Sequence, residues 1–419
     1  MNKISTRFNP VWLLLGILLV KVPGELHGEP RWPRFRGAQA DGRSRDTNVP
    51  GRWNPEDVAW RTELDGAGHS SPCLWDGKIF LTSARKDDNG RVERLVHCLD
   101  GRDGRVLWQE VAAKSAPVKN HPMNSEATPT CATDGERVIA FFGPAGIHCY
   151  DFAGKKLWSR DLGGFPGPWG TASSPIISGD LVIQNCDRQG DSCLVALDKR
   201  SGKVVWETAR RPKPRGGWST PVVIETDSGR ELVVNGEFGV TGYDPGTGRE
   251  LWFCKGFKGR GTPTPLFADG ILYVISAKTG DTFALRPGGR GDVTASHMLW
   301  HTPRPAGRNL ASPVIEGDRL LTVSMEGRAY CYDPESGRQL WAELLKGRYT
   351  ASPLVAGGRF FLLSESGRTL VIKPDEQLNI LAANELGAGD GEVFRSALIP
   401  SEGRIFTRSD RAVYCIAPK

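Results

Sequence analysis

One short pattern recurs eight times along this chain of 419 residues. A typical copy opens with Ser or Thr before a proline, passes through short apolar runs, and closes with Asp, a Gly-Lys or Gly-Arg turn and a Trp. The clearest copy covers residues 174–206, and the next clearest covers residues 312–341. Four apolar runs separated by Gly and Asp predict a four-stranded antiparallel sheet. A period of about 40–50 residues built in this way is typical of a β-propeller blade.

Two series of residues mark the blades and predict their number. Seven copies open at a proline and the eighth at Ala397; seven close at a tryptophan, with Leu381 in the remaining place. The closing tryptophans are predicted to be structural, each packing between two blades and donating its indole N–H to a nearby acceptor. They are Trp60, Trp108, Trp158, Trp206, Trp252, Trp300 and Trp341.

Strands from the two ends of the chain are predicted to pair in the same blade. No strand precedes Trp60, and the last copy, residues 395–419, contains only three apolar runs. The strand near Trp60 is therefore predicted to supply the outer strand of the last blade, which removes two open sheet edges. The predicted fold is all-β. It is one eight-bladed β-propeller of four-stranded antiparallel blades at residues 58–419, preceded by an extended N-terminal segment at residues 29–57.

The first 28 residues are typical of a secretory signal peptide. Lys3 and Arg7 precede an apolar run of about ten residues, which small residues follow. A membrane span needs about twenty apolar residues, so no integral span is expected after signal removal. The sequence thus predicts an exported protein of the bacterial periplasm or the extracellular space, with cleavage near Gly28.

Net charge and cysteine positions bear on nucleic-acid binding, disulfide bonds and metal sites. The formal net charge of +6 is evenly spread, which argues against nucleic acid as a partner. Four of the nine cysteines share one place in the third strand of their blades, which predicts small buried residues rather than disulfides. They are Cys98, Cys149, Cys331 and Cys415. Cys186 and Cys193 flank a single hairpin loop, and the sequence leaves open whether they are bridged. No spacing matches a metal site.

The Asp…Ser/Thr-Gly-Lys/Arg…Trp pattern, as in residues 198–206, resembles the tryptophan-docking motif of the PQQ-like repeat propellers. That family includes quinoprotein alcohol dehydrogenases and BamB-like exported repeat proteins. The resemblance covers residues from about 53 to the end, and residues 32–37 also look like the segment that precedes such propellers. It implies the fold more than a function, because the motif reflects blade packing.

The enzymes of that family carry adjacent cysteines, calcium ligands, a catalytic Asp and a Trp beneath the quinone. This chain has no adjacent cysteine pair and no matching set of calcium ligands. The resemblance therefore predicts no cofactor, with PQQ and Ca²⁺ as an alternative. In that alternative, Trp169 or Trp218 stacks on the quinone, and Arg348 or Arg395 polarises its carbonyl groups.

The residues just before each opening proline are predicted to crowd one mouth of the central channel. Arg260, Arg308 and Arg348 precede three consecutive blades, and three guanidinium groups suit a carboxylate, phosphate or sulfate. A second predicted cluster is an acid/base or metal pocket formed by His69, His121, Asn124 and Glu126, whose spacing matches no recognised metal motif. The predicted ligand-binding residues are His69, Asn124, Glu126, Trp169, Trp218, Arg260, Arg308, Arg348 and Arg395.

Three functions are compatible with these sequence features. The leading interpretation is an exported non-catalytic propeller that binds a partner protein or an anionic ligand at one channel mouth. A PQQ-dependent oxidoreductase is the second, and an enzyme acting on anionic polysaccharide is the third. No catalytic residue is predicted for the leading interpretation.

Overall fold

A computed structural model of the chain describes residues 31–210, 212–256, 259–304 and 307–418. The predicted signal peptide therefore lies outside the described residues. Eight antiparallel sheets form a ring of blades, which confirms the predicted eight-bladed propeller. The strands are short because a Gly or Asp turn interrupts each apolar run. At many of these turns φ is positive, as at Asp76 and Gly77, a conformation that favours glycine.

Blades are numbered in chain order, and the strands of each run from the channel outwards. Blade 1 contains Cys73–Trp75, Lys78–Lys86, Val92–Asp100 and Val106–Ser115. Blade 2 contains Ala132–Thr133, Arg137–Phe141, Ile147–Asp151 and Lys156–Arg160. Blades 3 and 4 contain Ile176–Ser178, Leu181–Cys186, Cys193–Asp198 and Val204–Ala209, then Val222–Thr226, Gly229–Asn235, Val240–Tyr243 and Glu250–Cys254.

The second half of the ring repeats this order. Blades 5 and 6 contain Leu266–Ala268, Ile271–Ile275, Thr282–Leu285 and Met298–Thr302, then Val314–Glu316, Arg319–Val323, Arg328–Tyr332 and Gln339–Leu344. Blades 7 and 8 contain Leu354–Ala356, Arg359–Leu363, Thr369–Lys373 and Asn379–Asn384, then Ile399–Ser401, Arg404–Arg408, Ala412–Ile416 and Val58–Glu63.

Two blades have an additional short strand that the repeat did not predict. Arg31–Trp32 pairs with the innermost strand of blade 1, and Gly291–Asp292 pairs in parallel with the outer strand of blade 4. The helices of the described residues are equally short. They are Pro55–Asp57, Gly143–Ala145 and Thr294–His297. None of the helices in the described ranges has the length and apolar character that a membrane span requires.

The ring closes as the sequence predicts, through the strand near Trp60. Val58–Glu63 pairs antiparallel with Ala412–Ile416 as the outer strand of blade 8, with Trp60 opposite Cys415. The same register places Cys98, Cys149 and Cys331 opposite the tryptophans of their own blades. These cysteines are buried, as expected for a small residue beneath an indole ring.

Six of the seven closing tryptophans dock on the next blade. Each donates its indole N–H to a backbone carbonyl in that blade's outer turn, over 2.9 to 3.3 Å. The donors are Trp60, Trp108, Trp158, Trp206, Trp300 and Trp341. Trp252 differs: its Nε1 donates to Oε2 of Glu231 in its own blade, at 2.8 Å. In blade 5 the segment after Leu285 forms an insertion instead of the short turn that receives the other indoles.

The tryptophan position of blade 7 is held by Ala382, not by Leu381 as predicted. Ala382 faces Val371 in the register that other blades use for Trp, whereas the Leu381 side chain is exposed. Trp53 from the N-terminal segment packs in the same core cluster as Ala382 and stacks on Phe361, with ring centroids 6.4 Å apart. A tryptophan distant in sequence therefore supplies the bulk that Ala382 lacks.

Hydroxyl groups link the innermost strands of neighbouring blades. The N–H of Ser71 donates to Oγ1 of Thr130, the N–H of Thr130 to Oγ of Ser174, and the N–H of Ser174 to Oγ1 of Thr220. The same link joins blades 5, 6 and 7, and the N–H of Ala397 donates to Oγ of Ser71. The Ser or Thr beside the opening proline therefore fixes the inner ring.

The N-terminal segment, residues 31–57, crosses one end of the channel. Pro33 accepts a hydrogen bond from the Thr133 N–H of blade 2, while the Arg36 side chain donates to the carbonyl of Pro313 in blade 6. Further along, Ser44 donates to the carbonyl of Val355 in blade 7. Gly403, in the turn between the first two strands of blade 8, donates its N–H to Oδ2 of Asp46 at 2.8 Å. The segment therefore closes the end of the channel opposite the residues that precede the blades.

Candidate functional site

The predicted channel mouth is a single large cavity of about 1530 Å³. All eight blades contribute residues to its wall, in each case from the stretch just before the first strand. Phe35 of the N-terminal segment also lines it. Because that segment crosses the other end of the channel, Phe35 lies at the floor of the cavity, opposite the predicted mouth.

Trp169 lies across this mouth. Its loop connects blades 2 and 3, yet its indole lies beneath the guanidinium groups of Arg260 and Arg308, which precede blades 5 and 6. On its own side of the ring, Trp169 stacks on His121 with ring centroids 4.8 Å apart. Nδ2 of Asn124 donates to the Trp169 carbonyl at 2.9 Å, which fixes the backbone of the loop.

Trp218, just before blade 4, contacts both Arg260 and the loop that carries Trp169. Its indole N–H donates to the carbonyl of Gly170 at 2.8 Å, so that the two aromatic segments are tied together. The guanidinium carbon of Arg260 lies 4.7 Å from the ring centroid of Trp169 and 5.5 Å from that of Trp218. Such cation–π contacts hold the guanidinium at the mouth, and a guanidinium has five N–H donors with which it can bind a ligand.

Arg260 and Arg308 form no ion pair with a carboxylate of the described residues. Burial lowers the pKa of Arg260, and the charges of Arg215 and Arg308 lower it further, while Glu237 opposes them. The positive charge around Arg260 is therefore only partly compensated. An oxyanion bound between Arg260 and Arg308 would relieve that repulsion.

The other two arginines of the predicted set share one carboxylate partner, Glu365. Oε1 of Glu365 accepts from Nε of Arg395 at 3.0 Å, and Oε2 accepts from Nε of Arg348 at 3.3 Å. Arg395 lines the cavity, whereas the exposed Arg348 is not among the lining residues. The structure therefore brings two of the three predicted consecutive arginines to the cavity, not three.

Glu126 does not reach the cavity. Its carboxylate accepts from Nη2 of Arg94 and from the N–H of Val118, each at 2.7 Å. The Arg94 side chain is fully buried, so Glu126 compensates an internal charge. Of the predicted acid/base or metal pocket, His69, His121 and Asn124 line the cavity, but its one carboxylate, Glu126, does not.

His69 lines the cavity as a neutral imidazole. Burial lowers its pKa to about 3, and the nearby charges of Arg395 and Arg408 act in the same direction. A group with this pKa carries no charge near neutral pH. His69 therefore contributes polarity to the wall and does not serve as a base that titrates near pH 7.

Comparison with known proteins agrees with this fold. The family described as outer membrane protein assembly factor BamB matches the chain at residues 53–167, 93–255, 190–285 and 268–377. The chain belongs to this family of PQQ-like repeat propellers. The resemblance recognised from the docking motif is thereby confirmed.

Individual members of the PQQ-like repeat family are distant from this chain. A polyvinylalcohol dehydrogenase from a Pseudomonas species is 26% identical over 200 residues, covering 40% of this chain and 29% of that protein. The quinohemoprotein alcohol dehydrogenase ADH-IIG of Pseudomonas putida is 24% identical, covering 68% and 41%. This chain thus spans less than half of either relative. BamB of Moraxella catarrhalis superposes with a TM-score of 0.63 at 18% identity, covering 86% and 97%.

Within this PQQ-like repeat propeller, the cofactor alternative requires calcium ligands as well as a stacking surface. The described residues contain no group of three or more His, Cys, Asp or Glu side chains placed to hold a metal ion. Glu237 is the carboxylate that lines the cavity, and Nε of Arg215 donates to it at 2.7 Å. Calcium prefers six to eight oxygen ligands, so these residues do not fit the metal.

Sequence reasoning missed several charged residues of the cavity. Arg215, Lys255 and Lys278 line it on the same side as Arg260, and Lys255 pairs with Asp292 at 3.1 Å. Arg215 and Lys255 lie in the segments before blades 4 and 5 but outside the register position of the predicted arginines, and Lys278 lies between the second and third strands of blade 5. The repeat pattern therefore did not reveal them. Together they make the blade 4 to 6 side of the mouth positive.

Proposed function

We propose that this protein is an exported, non-catalytic propeller that binds an anionic group of a ligand or a partner protein at the open mouth of its channel. One observation carries the proposal: Arg260 contacts the indole rings of Trp169 and Trp218, with Arg308 also over Trp169, and Arg260 has no carboxylate ion-pair partner among the described residues. Fork-shaped donors held in a concave, largely apolar site are suited to oxyanions.

Family membership supports a binding role. The family description names an assembly factor, and such a protein acts through binding rather than through chemistry. The acidic side chains near the mouth are engaged by arginines: Glu237 by Arg215, and Glu365 by Arg348 and Arg395. An enzyme that hydrolyses anionic polysaccharide would require two carboxylates flanking the bond to be cleaved. The described lining residues do not provide such a pair.

The test compares thermal unfolding in sulfate, phosphate and trigalacturonate with unfolding in chloride at matched ionic strength. A ligand that binds only the folded state raises the melting temperature by mass action. We expect stabilisation by at least one of these anions in the wild type, and its loss in the double variant Arg260→Gln, Arg308→Gln.

Arg348→Gln is the matched control, because Arg348 is a mouth arginine of the same repeat position that lies outside the cavity. It should retain the full anion effect. An equal rise in melting temperature with the anion in the wild type, the double variant and Arg348→Gln would show that the cavity is not the binding site. A parallel melt with PQQ and Ca²⁺ tests the oxidoreductase alternative, which a calcium-dependent rise of several degrees would favour.

A further inference from the structure

Cys186 and Cys193 face each other directly. Cys186 ends the second strand of blade 3, Cys193 begins the third, and the two residues are register partners. Directly opposed residues of an antiparallel pair have Cα atoms about 4.5–5.5 Å apart, which is within the range of disulfide-bonded cysteines. A hydrogen bond between the two thiols raises the pKa of Cys186 and lowers that of Cys193.

The loop between these cysteines, residues 187–192, holds the segment that carries Trp169. Nη1 of Arg188 donates to the carbonyls of Leu162 and Gly164 at 2.8 and 2.9 Å. The same guanidinium lies 5.1 Å from the ring centroid of Phe165. These contacts fix the start of the glycine-rich loop that brings Trp169 across the channel mouth.

The same loop also supports the segment that ends at Trp218. The buried carboxylate of Asp187 accepts from Nε of Arg210 at 3.1 Å, and the Arg210 N–H donates to the carbonyl of Ser192. Gly217 packs so closely on Asp187 that a Cβ at Gly217 would lie 2.5 Å from Oδ2. Both aromatic residues that contact Arg260 are therefore held by one hairpin loop.

We propose that Cys186 and Cys193 form a disulfide bond in the exported protein, and that this bond fixes the loop on which Trp169 and Trp218 rest. The bond closes a short ring at the base of the loop, where it restricts the unfolded chain and the loop itself. The effect on ligand binding rests on the proposed function, whereas formation of the bond does not.

The reaction is a two-step exchange with an oxidised disulfide, such as that of a dithiol oxidase or of glutathione. One cysteine thiolate attacks the oxidant and releases one of its sulfurs as a thiol, giving a mixed disulfide. The second cysteine then displaces the other sulfur. Two electrons pass to the oxidant, and the two cysteine protons are taken up by its released thiolates. Both cysteines are free thiols in the structure and are buried, so the proposed reaction takes place before the loop packs.

The direct test is peptide mapping after refolding in oxidised glutathione, with free thiols alkylated under denaturing conditions. Trypsin cuts after Arg160, Arg188 and Lys199, so the bond would join the peptide of residues 161–188 to that of residues 189–199. We expect this linked pair in the oxidised sample and its separation after reduction. Alkylation of both Cys186 and Cys193 in the oxidised sample would overturn the proposal.

The second measurement asks whether the bond stabilises the protein. Oxidised wild type should melt several degrees above reduced wild type, and Cys186→Ala, Cys193→Ala should abolish that difference. Cys149→Ala, Cys331→Ala removes two buried thiols from separate blades and should preserve it. If oxidation raised the melting temperature equally in both double variants, a stabilising role for this bond would be contradicted.

The third measurement couples the bond to the cavity. The stabilisation by the anion that binds wild type should be several-fold weaker in the reduced protein. An unchanged effect would contradict the link to Trp169 and Trp218. If no anion stabilises either form, the proposed function fails, while the peptide map still decides the disulfide.

Discussion

Gly104 of blade 1 lies directly against the indole of Trp60, the residue on the strand that closes the ring. A Cβ built at Gly104 would lie 2.5 Å from Cε3 of Trp60, and the φ of Gly104 is +75°. The Nε1 of Trp60 donates to the carbonyl of Gly101 in the same turn. This contact joins the last blade to the first, so the closure of the ring depends on the absence of a side chain there.

Gly104→Ala should therefore destabilise the protein more than a matched glycine change. Gly77 has nearly the same φ, +76°, but a Cβ there would meet nothing within 4 Å. Gly77→Ala should cost about 1–2 kcal/mol through backbone strain. Gly104→Ala adds a steric overlap of about 1–3 kcal/mol. Urea unfolding of both variants measures the difference, and equal losses would show that the Trp60 contact does not hold the ring.

Trp206→Ala should lower the free energy of unfolding by about 3–5 kcal/mol, as for other buried aromatic residues. The indole is buried between blades 3 and 4 and donates to the carbonyl of Pro245 at 3.1 Å. The neighbouring Val205, which is 52% exposed, provides the control, and Val205→Ala should cost less than about 1 kcal/mol. A loss below about 1 kcal/mol for Trp206→Ala in urea titration would contradict the docking role.

Glu126→Ala should destabilise the fold without weakening anion binding. It leaves the fully buried Arg94 without its carboxylate partner, and breaking a buried ion pair costs about 3–5 kcal/mol. Glu136→Ala is the control, because Glu136 is exposed and its pair with Arg137 is worth less than about 1 kcal/mol. Loss of anion stabilisation in folded Glu126→Ala would instead place Glu126 in the binding site.

Acidification should destabilise the protein, and His97 should account for part of the effect. Burial lowers the pKa of His97 to about 3, with the charges of Arg408 and Arg85 acting in the same direction and Asp65 opposing. Between pH 6.5 and 3 the unfolded chain takes up a proton at this residue that the folded protein excludes, so stability falls as the pH falls.

For His97 alone the loss between pH 7 and pH 5 is about 2 kcal/mol. His97→Gln should therefore lose correspondingly less stability over that interval than the wild type does. Urea unfolding at both pH values measures this difference. Parallel losses in the two proteins would show that His97 is protonated equally in the folded and unfolded states.

The repeat predicted the fold because each blade obeys the same local rules. Apolar runs, Gly turns and a Trp in fixed register determine the sheets, their number and the closing strand. The prediction was wrong where the repeat is broken. Ala382, not Leu381, holds the tryptophan position of blade 7, and the compensating Trp53 lies far away in sequence. Trp252 bonds to Glu231 because blade 5 lacks the usual docking turn.

The same register brought most candidate site residues to one cavity, since every stretch before a blade ends at the same mouth. It could not predict charge compensation. Glu365, which pairs with both Arg348 and Arg395, and Arg94, which pairs with Glu126, lie elsewhere in the repeat. Phe35 reaches the cavity floor through the N-terminal segment, whose path across the channel no periodic pattern encodes.

The most direct test of the binding site is a crystal structure of the protein grown with selenate, whose anomalous signal locates the anion. We expect a selenate within hydrogen-bond distance of the Arg260 and Arg308 side chains in the wild type, and none there in Arg260→Gln, Arg308→Gln. Selenate bound only at other positions, with the mouth free of anion, would contradict the proposed site.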